Sequence, residues 1–385
     1  MAAHRQRRAG PAGMSRPVYL DYQATTPLAP DAREAMLPWL GDGFANPHSP
    51  HRMGREAAAA VDVARAAIGR LLPDGGRLIF TGGATEAANL ALKGAAARAP
   101  DGRRRIVTIA TEHACVLDTV RWLGGQGFDV DILPVGTDGL VDPARAARAI
   151  DARTAIVAAM LVNNEIGVIQ PVAVLAGMAR AAGALFLCDA VQGYGRVAVP
   201  DADMIAISAH KIHGPKGIGA LWLRDGVALE PQMHGGGQEG GIRSGTLSPA
   251  LCAGFGAAAT LAQARFAADA AHVERLWHRA VARLEGWTIN GATSPRYHGN
   301  LNVRAPGIDA ARLISDVRGA AFSAGSACAS GSGRPSHVLA AIGLDRAEAA
   351  ASIRIGFGRY TGADELDRAL DLIADAAERQ GVKAA

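Results

Sequence analysis

Lysine is nearly missing from this 385-residue chain: of 40 lysines and arginines together, only Lys93, Lys211, Lys216 and Lys383 are lysine. Charge is sparse too, at 20% of residues, and the two signs are well mixed around a net +4. No basic stripe stands out, which argues against nucleic acid as a direct partner. There are four cysteines, Cys115, Cys188, Cys252 and Cys328, with no CxxC and no metal-ligand spacing. That excludes a disulfide scaffold, gives no metal site, and reads as a reducing, cytoplasmic setting. No run of 18 apolar residues occurs, so no membrane-spanning helix is expected. Residues 1–16, "MAAHRQRRAGPAGMSR", lack the apolar core of a secretory signal. They read as a disordered tail or as an early start with Met14 the true first residue. A short organelle transit peptide is the alternative.

What is plentiful is apolar residue, 49% of the chain, enough to bury a substantial core. From about residue 55 to 225 strand-like runs alternate with helical patterns. "RLIFTGG", "RRIVTIA", "VDILPV", "TAIVAAML", "ALFLCDA" and "MIAI" read as strands; helices are expected at 55–72, after each of the first two strands, near 142–150 and at 172–182. This order predicts an α/β fold with a mostly parallel sheet covered on both faces. Ligands in such sheets sit at the carboxyl ends of strands, and Thr85, His113, Asn164, Asp189 and Lys211 each follow a strand. A Gly-rich loop at 234–249 breaks the rhythm. A long Ala-rich helix (about 249–285) and a smaller α+β unit follow. The expected division is 17–255 for a large domain, its first residues packing with the small one, and 256–385 for the small domain.

One stretch poses a question. In "DMIAISAHKIHGPKGIGALWL" (203–223) a lysine sits between two apolar runs, where burying charge is costly. Arginine serves as a surface cation, but it cannot condense with an aldehyde. A loop lysine alone reads as a surface charge, an aspartate ending a strand reads as a helix cap, and the Gly-Gly turn in "FTGGATEA" (80–87) reads as helix capping. Together they fit one phosphorylated aromatic cofactor. The turn offers N–H groups and a helix dipole to a phosphate. Asp189 suits a pyridinium nitrogen, and Lys211 an aldehyde. Pyridoxal 5′-phosphate has all three parts.

The motifs go further. "YLDYQATTP", "FTGGATEAANLALKG", "TEHACVLDT", "LVNNEIGVIQP", "CDAVQGYG", "SAHKIHGPKGIGAL", "HGGGQEGGIRSGTL", "SAGSACASG" and "SIRIGFGR" resemble the cysteine desulfurases of the class V aminotransferase superfamily, from about residue 18 to 375. The resemblance implies the aspartate-aminotransferase-like fold (fold type I of pyridoxal-phosphate enzymes), a homodimer with sites at its interface, and conversion of L-cysteine to alanine with release of sulfur. It also implies roles. Lys211 would anchor the cofactor aldehyde, and once released would move the substrate's Cα proton. His113 would stack on the ring, and Asp189 would partner its nitrogen. Asn164 and Gln192 would lie near the ring hydroxyl and the substrate. Ala84, Thr85, Ser208 and His210 would hold the phosphate, with Thr246 reaching it across the dimer. Arg354, helped by Asn46, would bind the substrate carboxylate, which a guanidinium fork suits.

A nucleophile for the substrate sulfur is still required. Cys328 lies in "SAGSACASGSGRPS", almost wholly Ser, Ala and Gly, a stretch expected to move. It would take sulfur as a persulfide and carry it to an acceptor, such as an iron–sulfur scaffold protein. The other three cysteines sit in apolar runs and read as packing. His51, His213, His234, His337 and Lys216 receive no role. Housekeeping members of the resembled family often extend beyond the last helix; "DELDRALDLIADAAERQGVKAA" shows no such extension, which leaves the acceptor open. The rival enzyme readings are a selenocysteine lyase or an aminotransferase on the same scaffold. A non-catalytic sulfur carrier is the rival of another class.

Overall fold

The computed structural model describes residues 16–324 and 336–381; Cys328 lies outside the described residues. The chain enters through a short strand, β1 (Val18–Tyr19), and two helices, α1 (Pro30–Leu40) and α2 (Arg52–Gly69). The second begins three residues before its apolar spacing predicts. The His51 ring accepts a hydrogen bond from Gly54 N and caps the first turn, a start signal that periodicity does not carry.

Seven strands then build the large sheet: β2 (Gly76–Thr81), β3 (Arg105–Ile109), β4 (Asp129–Leu133), β5 (Thr154–Met160), β6 (Leu185–Asp189), β7 (Met204–Ser208) and β8 (Gly219–Arg224). Helices α3 (Ala84–Ala97), α4 (Ala114–Gly124), α5 (Pro143–Ala149) and α6 (Val172–Ala181) fall between the first five. The order across the sheet is β2-β8-β7-β6-β5-β3-β4, with β8 alone running against the rest. All seven residues of β5 are buried. A central strand covered on both faces is apolar throughout rather than alternating.

The reversed strand decides where the site forms. Gly219 at the start of β8 pairs with Thr81 at the end of β2 and with Ser208 at the end of β7. The Gly82–Gly83 turn is thereby brought beside the turn that carries Lys211, although some 120 residues separate them. A Cβ at Gly219 would lie 2.7 Å from the backbone carbon of Gly83 and 2.7 Å from the Ile207 carbonyl, so only glycine admits this approach.

Beyond the sheet runs α7 (Pro249–Arg283). Its first half packs Cys252, Phe255, Ala258 and Ala259 into the core under the large sheet. Its second half packs Val273, Leu276, Trp277 and Ala280 into another core. The division expected after residue 255 thus falls within a continuous helix. The second core lies against β9 (Thr288–Ile289), β10 (Asn300–Arg304), β11 (Ala320–Ala321), β12 (Ser323–Ala324) and β13 (Ser352–Gly356). Four of these form an antiparallel sheet in the order β12-β13-β10-β9, while β1 pairs in parallel with β11.

After β1 the chain turns across the end of β13: Gly356 N donates to Leu20 O at 2.7 Å. A Cβ at Gly356 would stand 1.8 Å from Gln23 Oε1 and 2.8 Å from Tyr22 N. The substitution Gly356→Ala must push this turn outward. It is expected to lower stability by ~1–3 kcal/mol, as overpacking does, measured as a drop in urea midpoint; an unchanged midpoint would contradict the close approach.

Candidate active site

At the carboxyl ends of β2, β3, β5, β6 and β7 the strands open onto a cavity of about 1050 Å³. Ala84, Thr85, His113, Asn164, Asp189, Gln192, Ser208, His210, Lys211 and Arg354 all line it. Asn46 and Thr246 do not; both are exposed on the surface of the chain.

Lys211 ends a short 3-10 turn after β7. Its Nζ donates to the carbonyls of Gln23 at 2.6 Å and Ala24 at 2.9 Å. These come from "YLDYQATTP", which sequence reading left without a role. The same turn holds much of the site. Gln192 Nε2 donates to Gln23 O at 2.9 Å, Thr26 Oγ1 to His210 O at 2.8 Å, and Thr25 Oγ1 lies 3.1 Å from His210 Nδ1. Tyr19 OH lies 3.0 Å from the carbonyls of Asp21 and Thr25 and closes the turn on itself. Burial and the charges of Lys211, Lys216 and Arg196 push His210 down to about 4, so the ring is neutral at pH 7.

Asp189 ends β6, buried, with Val191 N donating to its Oδ1 at 3.0 Å. Burial raises its pKa, while His113 and Lys211 pull it down. His113 is the N-cap of α4, and its Nδ1 accepts from Cys115 N at 3.2 Å. The start of α3 has no side-chain cap, so its first N–H groups remain available to an anion, with Ser208 and His210 across the cavity.

Arg354 comes from β13 and is 1% exposed. Nη2 donates to Asp21 Oδ1 at 2.7 Å and Nη1 to Asn164 O at 3.0 Å; Nε is buried with no hydrogen-bond partner among the described residues. Asp21 thus orients the guanidinium from the turn that also receives Lys211.

Several residues in and around the cavity were not foreseen. Glu165, Ser336 and His337 line it. Ser336 Oγ bonds the Glu165 carboxyl, and His337 Nε2 lies 2.9 Å from Glu112 O, to which it donates. Burial pushes Glu165 up to about 7, against Ser336, Arg354 and His113. Burial, then Asp189, push Glu112 up to about 8; its Oε1 accepts from Met160 N, while Oε2 has no partner. Nothing in the spacing of "TEH" or "NNE" marks these carboxyls as neutral; only their burial does. The Gly-rich loop is pinned by charges rather than glycines: Arg65–Glu239 at 2.8 Å and Arg243–Glu86 at 2.7 Å. Cys188 and Cys252 are buried, Cys115 half-buried at the cavity wall, and burial raises all three thiols. That disfavours each as a thiolate.

Comparison with known proteins agrees with this geometry. The family model for aminotransferase class-V matches residues 18–369. The chain belongs to that family. Enzymes of the family use pyridoxal 5′-phosphate, and this chain is one of them. It is 43% identical over 369 residues to a cysteine desulfurase IscS of Rickettsia akari, covering 93% of this chain and 90% of that protein. Among solved structures, a NifS-like protein is 32% identical with a TM-score of 0.88, over 94% of this chain and 100% of that one. SspA in complex with cysteine is 34% identical with a TM-score of 0.80, over 90% and 100%. The large, mostly parallel sheet is the one expected from the strand and helix alternation, and the class V fold is the one the motif resemblance implied.

The cavity suits the cofactor of the family by the chemistry of its donors. It offers an uncapped helix start for a phosphate, an aspartate for a ring nitrogen and a lysine for an aldehyde, all on one wall system. Glu112 and Glu165 make a pH prediction. Their native pKa values lie above the ordinary 4.5, so the folded state binds protons that the unfolded state releases. Stability is then fullest below about pH 4.5 with respect to these groups and declines as pH rises toward 7 and 8. Glu112→Gln removes one proton from this linkage. Unfolding free energy measured by urea at pH 5, 6.5 and 8 is expected to fall less steeply in the variant; an identical slope would place Glu112 among ordinary carboxylates.

Proposed function

We propose that this chain removes sulfur from L-cysteine, leaving L-alanine, and carries that sulfur on Cys328 to an acceptor protein. The observation that carries the reading is the meeting of Lys211, Asp189, His113 and Arg354 around one cavity in a class V enzyme. The identity to cysteine desulfurases supports the choice of reaction.

Pyridoxal phosphate, when bound, supplies an aldehyde that condenses with amines and a ring that draws charge from the attached carbon. The chain's residues supply the rest. Ala84, Thr85, Ser208 and His210, with the start of α3, would hold the phosphate. Asp189 would keep a proton on the ring nitrogen, which its charge favours. His113 would cover the ring face, and Asn164 and Gln192 would bound the substrate side. Arg354 would receive the α-carboxylate, held in place by Asp21. Lys211 would anchor the cofactor and, when released, move the Cα proton; the carbonyls of Gln23 and Ala24 give its ammonium form a place to rest. The Cys328 thiolate would attack the substrate sulfur. An S–S bond forms as the Cβ–S bond breaks, and its electron pair stays with carbon. The persulfide then passes to an acceptor such as an iron–sulfur scaffold.

A homodimer completes this proposal. Asn46 and Thr246 lie on the surface away from the cavity of their own chain, where a second copy would place them near its site. Exposed apolar side chains accompany Asn46, with Phe44 at 77%, Leu40 at 67% and Leu37 at 51% exposure. A cluster of that kind favours a protein partner. No helix among the described residues is long and apolar enough to cross a membrane, and a cytoplasmic enzyme fits the scarce, unpaired cysteines.

Three measurements test the reading. Borohydride treatment of holoenzyme followed by peptide mapping is expected to find the cofactor fixed on Lys211, and Lys211→Ala to lose the adduct. Cys328→Ala is expected to keep cofactor colour and lose sulfide release from L-cysteine. Sulfide released at the parent rate would refute the nucleophile, and a requirement for a keto acid would turn the reading toward an aminotransferase. Asp21→Asn removes one charge-assisted hydrogen bond from Arg354. KM for L-cysteine is expected to rise about tenfold with kcat within about threefold; a fall in kcat at unchanged KM would exclude Asp21 as an orienting residue.

A further inference from the structure

Behind the main cavity lies a smaller one of about 40 Å³, bounded by Tyr22, Arg196, His213, Asp269, Tyr297 and Arg359. Its charges do not balance. The Arg359 side chain is 5% exposed, and its Nε and Nη2 both lie 2.7 Å from Asp269 Oδ2. Arg265 takes the other oxygen of Asp269 at 3.1 Å. The carboxylate is therefore fully engaged, while Nη1 of Arg359 is buried with no hydrogen-bond partner. Arg196 bonds only neutral acceptors here, Gln192 Oε1 at 2.6 Å and the carbonyl of Lys211. Among the described residues no carboxylate pairs with it; burial depresses its pKa and Arg359 adds repulsion, against the Tyr297 ring, whose centroid lies 5.3 Å from the guanidinium carbon.

His213 does not offset this surplus. Burial, then the two arginines, push it down to about 3, and its Nδ1 lies 2.9 Å from Pro27 O, to which the neutral ring donates. Two guanidinium groups thus face one carboxylate around a small, partly open space. Arginine cannot shed its charge as lysine does, and an uncompensated buried charge is costly. The space exceeds the ~10–15 Å³ that one water needs. Water would fill it, but would leave the extra charge unmatched.

We infer that this cavity is a site for one small monovalent anion of about the size of chloride, held between Arg359 Nη1 and the Arg196 guanidinium. One negative charge balances the surplus. Arg196 ties the Gln192 side chain to the backbone of Lys211, both at the main cavity, and so links the two sites. Occupancy would steady that link whichever reaction the main cavity performs.

The test uses holoenzyme. Melting midpoints are compared in sodium chloride, sodium bromide and sodium gluconate at equal ionic strength. Chloride and bromide are expected to raise the midpoint saturably by ~2–4 °C over gluconate, and Arg359→Gln to abolish that difference. Crystals of the parent protein soaked in bromide are expected to give an anomalous peak between Arg196 and Arg359. This second measurement stands even if the variant fails to fold. Absence of a bromide peak in the cavity overturns the proposal whatever the melts show, and leaves water as the occupant.

Discussion

The ammonium of Lys211 resting on two backbone carbonyls is the contact around which the site is arranged. A lysine between two buried strands needs partners, because its charge loses water there. The carbonyls of Gln23 and Ala24 provide them at 2.6 and 2.9 Å. They belong to a turn far away in sequence, which stays in place only because Gly356 leaves room for it and Tyr19 closes it. That turn also supplies Asp21 to Arg354 and Thr25 to His210. One short segment therefore fixes Lys211, Arg354 and His210 at once.

Electrostatics around this contact follow from burial. Asp189, Glu112 and Glu165 all have raised pKa values with desolvation as the first cause. His113 pulls all three back toward ionisation, and on Asp189 Lys211 acts with it. A protonated Glu112 beside Asp189 spares the site the repulsion of a second carboxylate. On the other side, His210 and His213 are held neutral by the same desolvation, next to arginines that must remain charged. Charge in this region is set by which groups can shed it.

Much of the fold was legible because its signals are local. Apolar runs with short helical patterns between them announced the large sheet, and the Ala-rich stretch announced α7. The start of α2 was misplaced because a histidine cap has no periodicity. Candidate residues at strand ends were legible for the same reason: parallel sheets present their carboxyl ends to ligands. Glu112, Glu165, Ser336 and His337 were not, since nothing in a neighbouring residue reveals that a carboxyl will be desolvated. Nor did spacing disclose that Asn46 would stand outside its own chain's cavity; for Thr246 the resemblance had implied a reach across the dimer.

By itself the sequence determined the strand and helix alternation, the Gly-Gly turn before a helix, and the aspartate and lysine at successive strand ends. Those depend on neighbours a few residues apart, where periodicity and turn chemistry act. Only the tertiary structure decided that β8 would run backwards between β2 and β7, that the 19–26 turn would receive Lys211, and that Arg354 would be held by Asp21. Apart from the β7–β8 pairing, these contacts join residues more than a hundred positions apart. Their geometry follows from packing two cores on one helix, and no local pattern encodes it.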